Sequence, residues 1–301
     1  MAKRHRRRTK SDKQQPTQER ITAKGSLMLV PTSPAVSRVG LDSDVIMALQ
    51  DLDRLVGEMR KSIPVPNGVW DESSAVQRYL VYLSMLVDVV FGELVMSALH
   101  SNDWMVHMKQ RMLIEYAAKG AYYDDHPQYA LFMMTIGKAE DRLRKVTDAG
   151  SDPGIIEAAE QHRDDMRQQF PAVVHTKRVT FAEIMTTYGG RDDYVWLYGA
   201  PSALMHGDPE GIDHLIEILP DGTQQPHLTL PLERVNAMLV DAGTNTLMFC
   251  NHFIGTFHPE KQPLIDRYKT LHRRFLELVL KHPYGRDADG LRAVTDELVA
   301  G

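Results

Sequence analysis

The chain has 301 residues, of which 43% are apolar and 25% charged, the balance of an ordinary soluble globular protein with room for one large domain or two small ones. A lone cysteine, Cys250, excludes an internal disulfide and fits a reducing compartment, so a cytoplasmic protein is expected. The net charge of −5 is unevenly spread: residues 1–24 carry nine Lys/Arg against Asp12 and Glu19, a balance of +7 that leaves −12 on the rest.

Residues 1–40 are polar, basic and rich in Pro, Ser and Thr, and read as a disordered tail and linker. Its cations Lys3, Arg4, Arg6, Arg7, Arg8 and Lys10 suit loose contact with RNA or another polyanion; the alternative is a tail that only solubilises. No apolar core follows "MAKRHRRRTK" closely, so it is not a secretory signal.

Residues 41–301 are expected to form a single helical domain of about eight to ten helices. Val45, Leu49, Leu52, Val56 and Met59 recur at spacings of three and four, capped by Asp42 or Ser43 and ended by "IPVPNG". Asp71, Glu72 and Ser73 open a long apolar helix, and "YLVYLSMLVDVVFGELVMSAL" at 79–99 approaches membrane-spanning length. It holds Asp88 and Glu93, which are expensive inside a bilayer, so it reads as a buried helix of a bundle, with no membrane partner.

"SND" at 101–103 caps a third helix, Trp104 to about Tyr123. A fourth has Pro127 in its first turn and Gly150 past its end. "SDPGIIEAAEQHRDDMRQQF" and "TFAEIMTTYGG" give a charged fifth and a short sixth. "HLIEILPDGTQQPHLTL" reads as a β-hairpin insertion near 213–230 around Pro-Asp-Gly. Two long helices follow, and a short one over 287–299. The fold class is all-α; strands alternating with helices, the mark of a doubly wound nucleotide fold, are absent.

The chain has no phosphate-binding glycine loop, His-Glu-x-x-His, Gly-x-Ser-x-Gly or Cys-x-x-Cys, so no cofactor is expected. The best metal-like set, His206, Asp208 and His214, crosses a proline turn and reads as ordinary loop residues, leaving no metal site. The third helix is more informative. His107, Arg111 and Glu115 share one face, and Arg111 and Glu115 lie among apolar residues, as a partly buried ion pair would. In "YGAPSALMHGDPEG", 198–211, the i,i+4 spacing aligns Tyr198, Ser202 and His206, with Gly207 as the stop.

The Arg-x-x-x-Glu helix "RMLIEYAAKGAYY", followed by "SALMHG" in a Ser-x-x-x-His-Gly segment, resembles a group of uncharacterised bacterial all-helical proteins over roughly residues 70–255. That group is distantly similar to the HEPN domains, many of which are ribonucleases in toxin and antiviral systems. The HEPN pattern has an Arg shortly before the His; the residues just before His206 include none, so Arg111 would supply the cation from another helix.

Two functions stay open. In one, the protein is a nucleic-acid-directed effector, a metal-independent ribonuclease in defence or a mobile element. His206 is the acid/base, Ser202 or Tyr198 orients it, Arg111 steadies phosphate charge and Glu115 completes the set. In the other it is a non-enzymatic helical interaction protein. There Arg111, Glu115, Ser202 and His206 form an interior polar network, and the partner is a homo-oligomer or another protein.

Overall fold

In a computed structural model, the structure describes residues 40–61, 63, 68, 70–188, 216–218, 221–226 and 230–283. The basic tail and the expected helix over 287–299 lie outside the described residues. Among the described residues the architecture is a helical bundle.

Helix α1 (Ser43–Arg60) starts where Asp42 accepts a hydrogen bond from the Asp44 amide, and it buries Val45, Leu49, Leu52, Val56 and Met59. Asp71 and Ser74 bond reciprocally, each side chain to the other's backbone N–H, to open α2 (Glu72–Leu99). Ser101 takes a left-handed conformation (φ 57°) in the tight turn to α3 (Asp103–Asp125), which Asn102 caps.

The expected fourth helix is interrupted. Helix α4 (Pro127–Phe132) passes through a π-helical turn (Met133–Gly137) into α5 (Lys138–Asp148). The widened turn frees carbonyls from the regular ladder: Thr135 Oγ1 donates to Leu131 O, and Arg178 Nη2 donates to Gly137 O, both at 2.5 Å. Gly150 (φ 60°) ends α5. α6 (Pro153–Gln169), largely exposed, folds back on α5. A Thr180–Glu183 capping box opens α7 (Phe181–Tyr188), whose Ile184 and Met185 pack on Ile114 and Ala118 of α3.

Of the hairpin insertion expected over 213–230, the described residues hold a ladder of three residues per strand, β1 (Ile216–Ile218) antiparallel to β2 (Gln224–Pro226). A pairing that short adds little stability of its own, and among the described residues the helices carry the fold.

Helices α8 (Leu232–Phe257) and α9 (Gln262–Lys281) complete the bundle. α8 runs parallel to α1, with Asn236 beside Asp42 and His258 donating from Nε2 to Met59 O. It also runs parallel to α3, with Asp241 beside Gln110 and His252 beside Asp124. α2 and α9 run the opposite way, as Lys109–Glu93 and Lys281–Asp42 show. α8 and α9 approach closely at Gly243, where a Cβ would clash with the Phe275 ring.

α2 corrects a second expectation. It is apolar nearly all round, and by length and composition it could cross a membrane, yet only half of its most apolar window is buried in the bundle. Tyr82 (51% exposed), Met85 (46%), Val89 (53%) and Met96 (38%) form an outward stripe. A helix apolar on every side gives packing no directional instruction, so the sequence could not say which face would be covered.

Candidate functional site on the third helix

α3 carries its polar residues inward. Asp103, His107, Gln110 and Arg111 are all buried. Gln110 Nε2 donates to Asp241 Oδ2 on α8 at 2.7 Å, and Asn245 Nδ2 donates to Asp241 O at 2.8 Å. Arg111 and Glu115 do face each other, but at 3.8 Å their contact is an ion pair rather than a hydrogen bond. The closer partner of Glu115 is Lys119, whose Nζ lies 2.5 Å from Oε1 and 5.6 Å from the centre of the Phe181 ring. The expected pair is thus a triad spaced at four-residue intervals on one helix. Lys119 extends the same period, a signal already present in the sequence.

Tyr198, Ser202 and His206 lie outside the described residues, as do Asp208, His214 and the tail cations Lys3, Arg4, Arg6, Arg7, Arg8 and Lys10. What is described is where the chain stands on either side of the Tyr198–His206 stretch. At Tyr188 the phenol donates to Asp125 Oδ2 at 2.6 Å, at the C-terminal end of α3. At Leu230 the amide donates to Asp103 Oδ2, at the N-terminal end. Arg111 and Glu115 lie between these two anchors.

A second polar group stands at the C-terminal end of α3. His252 Nδ1 donates to Asp124 Oδ2 at 2.8 Å, and the Thr256 hydroxyl shares its proton between His252 O at 2.9 Å and Asp124 Oδ1 at 3.2 Å. Asp125 adds a carboxylate, and donor atoms of Asp124, Asp125 and His252 all lie within 4.8 Å of one another. Burial, then the hydrogen bond to Asp125, pushes the Tyr188 phenol above its ordinary pKa, so it stays a donor. Asp124 and Thr256, with Glu72 and Ser73 at the start of α2, line a cavity of about 500 Å³. Aromatic rings wall the same end, Tyr122 meeting His126, Tyr129 and Tyr188.

Sequence reasoning missed this group. "DDHP" at 124–127 reads as a helix boundary, and His252 is 128 residues away from Asp124. Only the parallel docking of α3 on α8 brings them together. The i,i+4 spacing of His252 and Thr256 was the one available signal.

No family model, curated protein or solved structure matches the chain.

Proposed function

We propose that the protein acts by association, as a helical interaction module, and that its partner is a second copy bound through α2. The α2 stripe carries this reading. Scattered exposed apolar residues are ordinary, but a run of them along one helix face is the mark of an interface. Tyr82 and Met96 are equidistant from Val89, as are Met85 and Glu93. A two-fold related copy packed antiparallel would therefore set Val89 on the axis and Tyr82 against the copy's Met96, the self-complementarity such an interface requires. Glu93, the charge in the stripe, is already paired to Lys109. In this reading Arg111, Glu115 and Lys119 pair along one face of α3 as a structural feature of that helix.

Light scattering on a sizing column tests it. The intact chain should run as a dimer at tens of micromolar, and the Met85→Glu/Val89→Glu variant as a monomer with its helix content kept. A monomeric intact chain at that concentration would end this reading.

A second reading rests on the anchors at Tyr188 and Leu230, which stand at opposite ends of α3 with Arg111 and Glu115 between them. This reading requires Ser202 and His206 to act with Arg111 in cleaving RNA, the RNA's own 2′-hydroxyl attacking phosphorus as the protonated 5′-oxygen leaves. The tail cations add sequence-blind phosphate affinity that weakens with salt. RNA cleaved by the intact chain and spared by a folded His206→Ala variant would establish it; RNA left intact by both would remove it.

A further inference from the structure

The C-terminal end of α3 holds an electrostatic imbalance. Asp124 and Asp125 occupy the last turn of their helix, where the carbonyl ends already concentrate negative potential. That turn contains no basic residue, and neither does the last turn of the parallel helix α8 beside it. α4, which starts here, opens on Pro127, which has no N–H to offer. α2 also begins here, but its positive end already has Asp71 as cap and Glu72 in its first turn. Among the described residues neither Asp124 nor Asp125 meets a lysine or arginine; their partners are His252, Thr256 and Tyr188.

We propose that Asp124, Asp125 and His252 form a binding site for a divalent transition-metal cation, opening on the cavity that Asp124 and Thr256 line. One imidazole nitrogen and two carboxylates suit zinc, manganese or iron(II), whereas calcium and magnesium prefer oxygen donors alone. Zinc–ligand distances of about 2.0–2.2 Å place donor atoms about 3.3–3.6 Å apart in a tetrahedral site. The donor atoms, all within 4.8 Å of one another, close to that spacing with side-chain adjustments of roughly an ångström.

The ligands stand on two packed helices rather than on loops, so the backbone already holds them near one another. Thr256 and Tyr188 orient the two carboxylates as outer-shell donors. Three protein ligands leave coordination positions free, and the cavity beside Asp124 supplies water or a small anionic ligand to fill them.

The experiment uses the full chain, stripped with a chelator and dialysed, and titrated with Zn²⁺ or Mn²⁺ against a chromophoric competitor. Thirteen histidines make adventitious binding a real alternative, so variants carry the decision. The intact chain should bind one equivalent of Zn²⁺ at low micromolar or better. Asp125→Asn and His252→Gln should each weaken binding at least tenfold. Tyr188→Phe, which keeps all three ligands, should weaken it severalfold, and His126→Gln should leave it unchanged. Asp125 is exposed, so its variant keeps the fold, and a matching thermal midpoint under chelator checks that. No tight equivalent in the intact chain, or binding unchanged in both ligand variants, overturns the proposal.

Discussion

Twice along the α3–α8 seam an aspartate of one helix meets a polar partner on the other, in opposite surroundings. In mid-seam Asp241 takes the Gln110 amide, with Gln110 wholly excluded from water and Asp241 6% exposed. At the C-terminal end Asp124 takes the His252 ring, and both side chains keep partial exposure beside a cavity. A sealed polar contact fixes how the helices dock, since misalignment strands buried polar groups. An open pair made from the same chemistry remains available to a ligand. Location along one helix pair separates the two roles.

The sealed pair gives the largest expected effect. Asp241→Ala strands the buried Gln110 amide and should cost about 2–3 kcal/mol in denaturant unfolding. Replacing both partners, Gln110→Leu with Asp241→Leu, removes the unsatisfied groups together and should recover most of that loss. If the double variant is as unstable as the single one, the pair contributes more than mutual satisfaction, and the contrast with the open end needs another explanation.

The α1–α2 seam offers an intermediate case. Asp53 is half-buried near Asp88, which Arg60 holds. Burial first, and then the Asp88 charge, lift the Asp53 carboxyl to about 6 from an ordinary 3.8, against a smaller pull from Arg54. A carboxyl whose pKa is raised by folding favours the folded state while protonated. Its contribution is complete below about pH 4 and lost as pH climbs through 6. Asp53→Asn should therefore stabilise the protein at pH 7–8 by about 1 kcal/mol, discounted for the half of the group that water still reaches. The gain should vanish below pH 4. Thermal midpoints of the two proteins across pH 4–8 check this, and a gain independent of pH would mean that burial of the carboxylate is not its source.

What could be read in advance follows the range of the interactions. The cap at Asp42, the buried face of α1 and the Arg111–Glu115 pairing depend on neighbours within a turn or two, and local spacing reveals them. The π-turn at Met133–Gly137 escaped, because the continuous helical pattern around it gives no sign of the Arg178 guanidinium that meets the Gly137 carbonyl from 41 residues away. The Asp124–His252 contact escaped for the same reason on a longer scale. In α2 the difficulty was reversed: the apolar pattern was plain, but uniform hydrophobicity does not distinguish a covered face from an uncovered one.

The smallest expected effect is the most discriminating. Asp125 is exposed, and its described hydrogen-bond partner is the Tyr188 phenol at 2.6 Å. In Asp125→Asn the amide oxygen can still accept that bond, while one negative charge leaves the C-terminal turn of α3, where the helix dipole opposes it. Losing some hydrogen-bond strength and relieving some repulsion act in opposite directions. The change in unfolding free energy, measured under chelator, should stay within about 0.5 kcal/mol, as for most exposed substitutions. The same variant with Zn²⁺ added should lose the upward shift in thermal midpoint that the intact chain shows, because a ligand that binds only the folded state stabilises by mass action. A loss of more than about 1 kcal/mol under chelator, well outside that exposed-site range, would make the open end structural like the sealed one. The difference between the two halves of the seam would then be one of exposure alone.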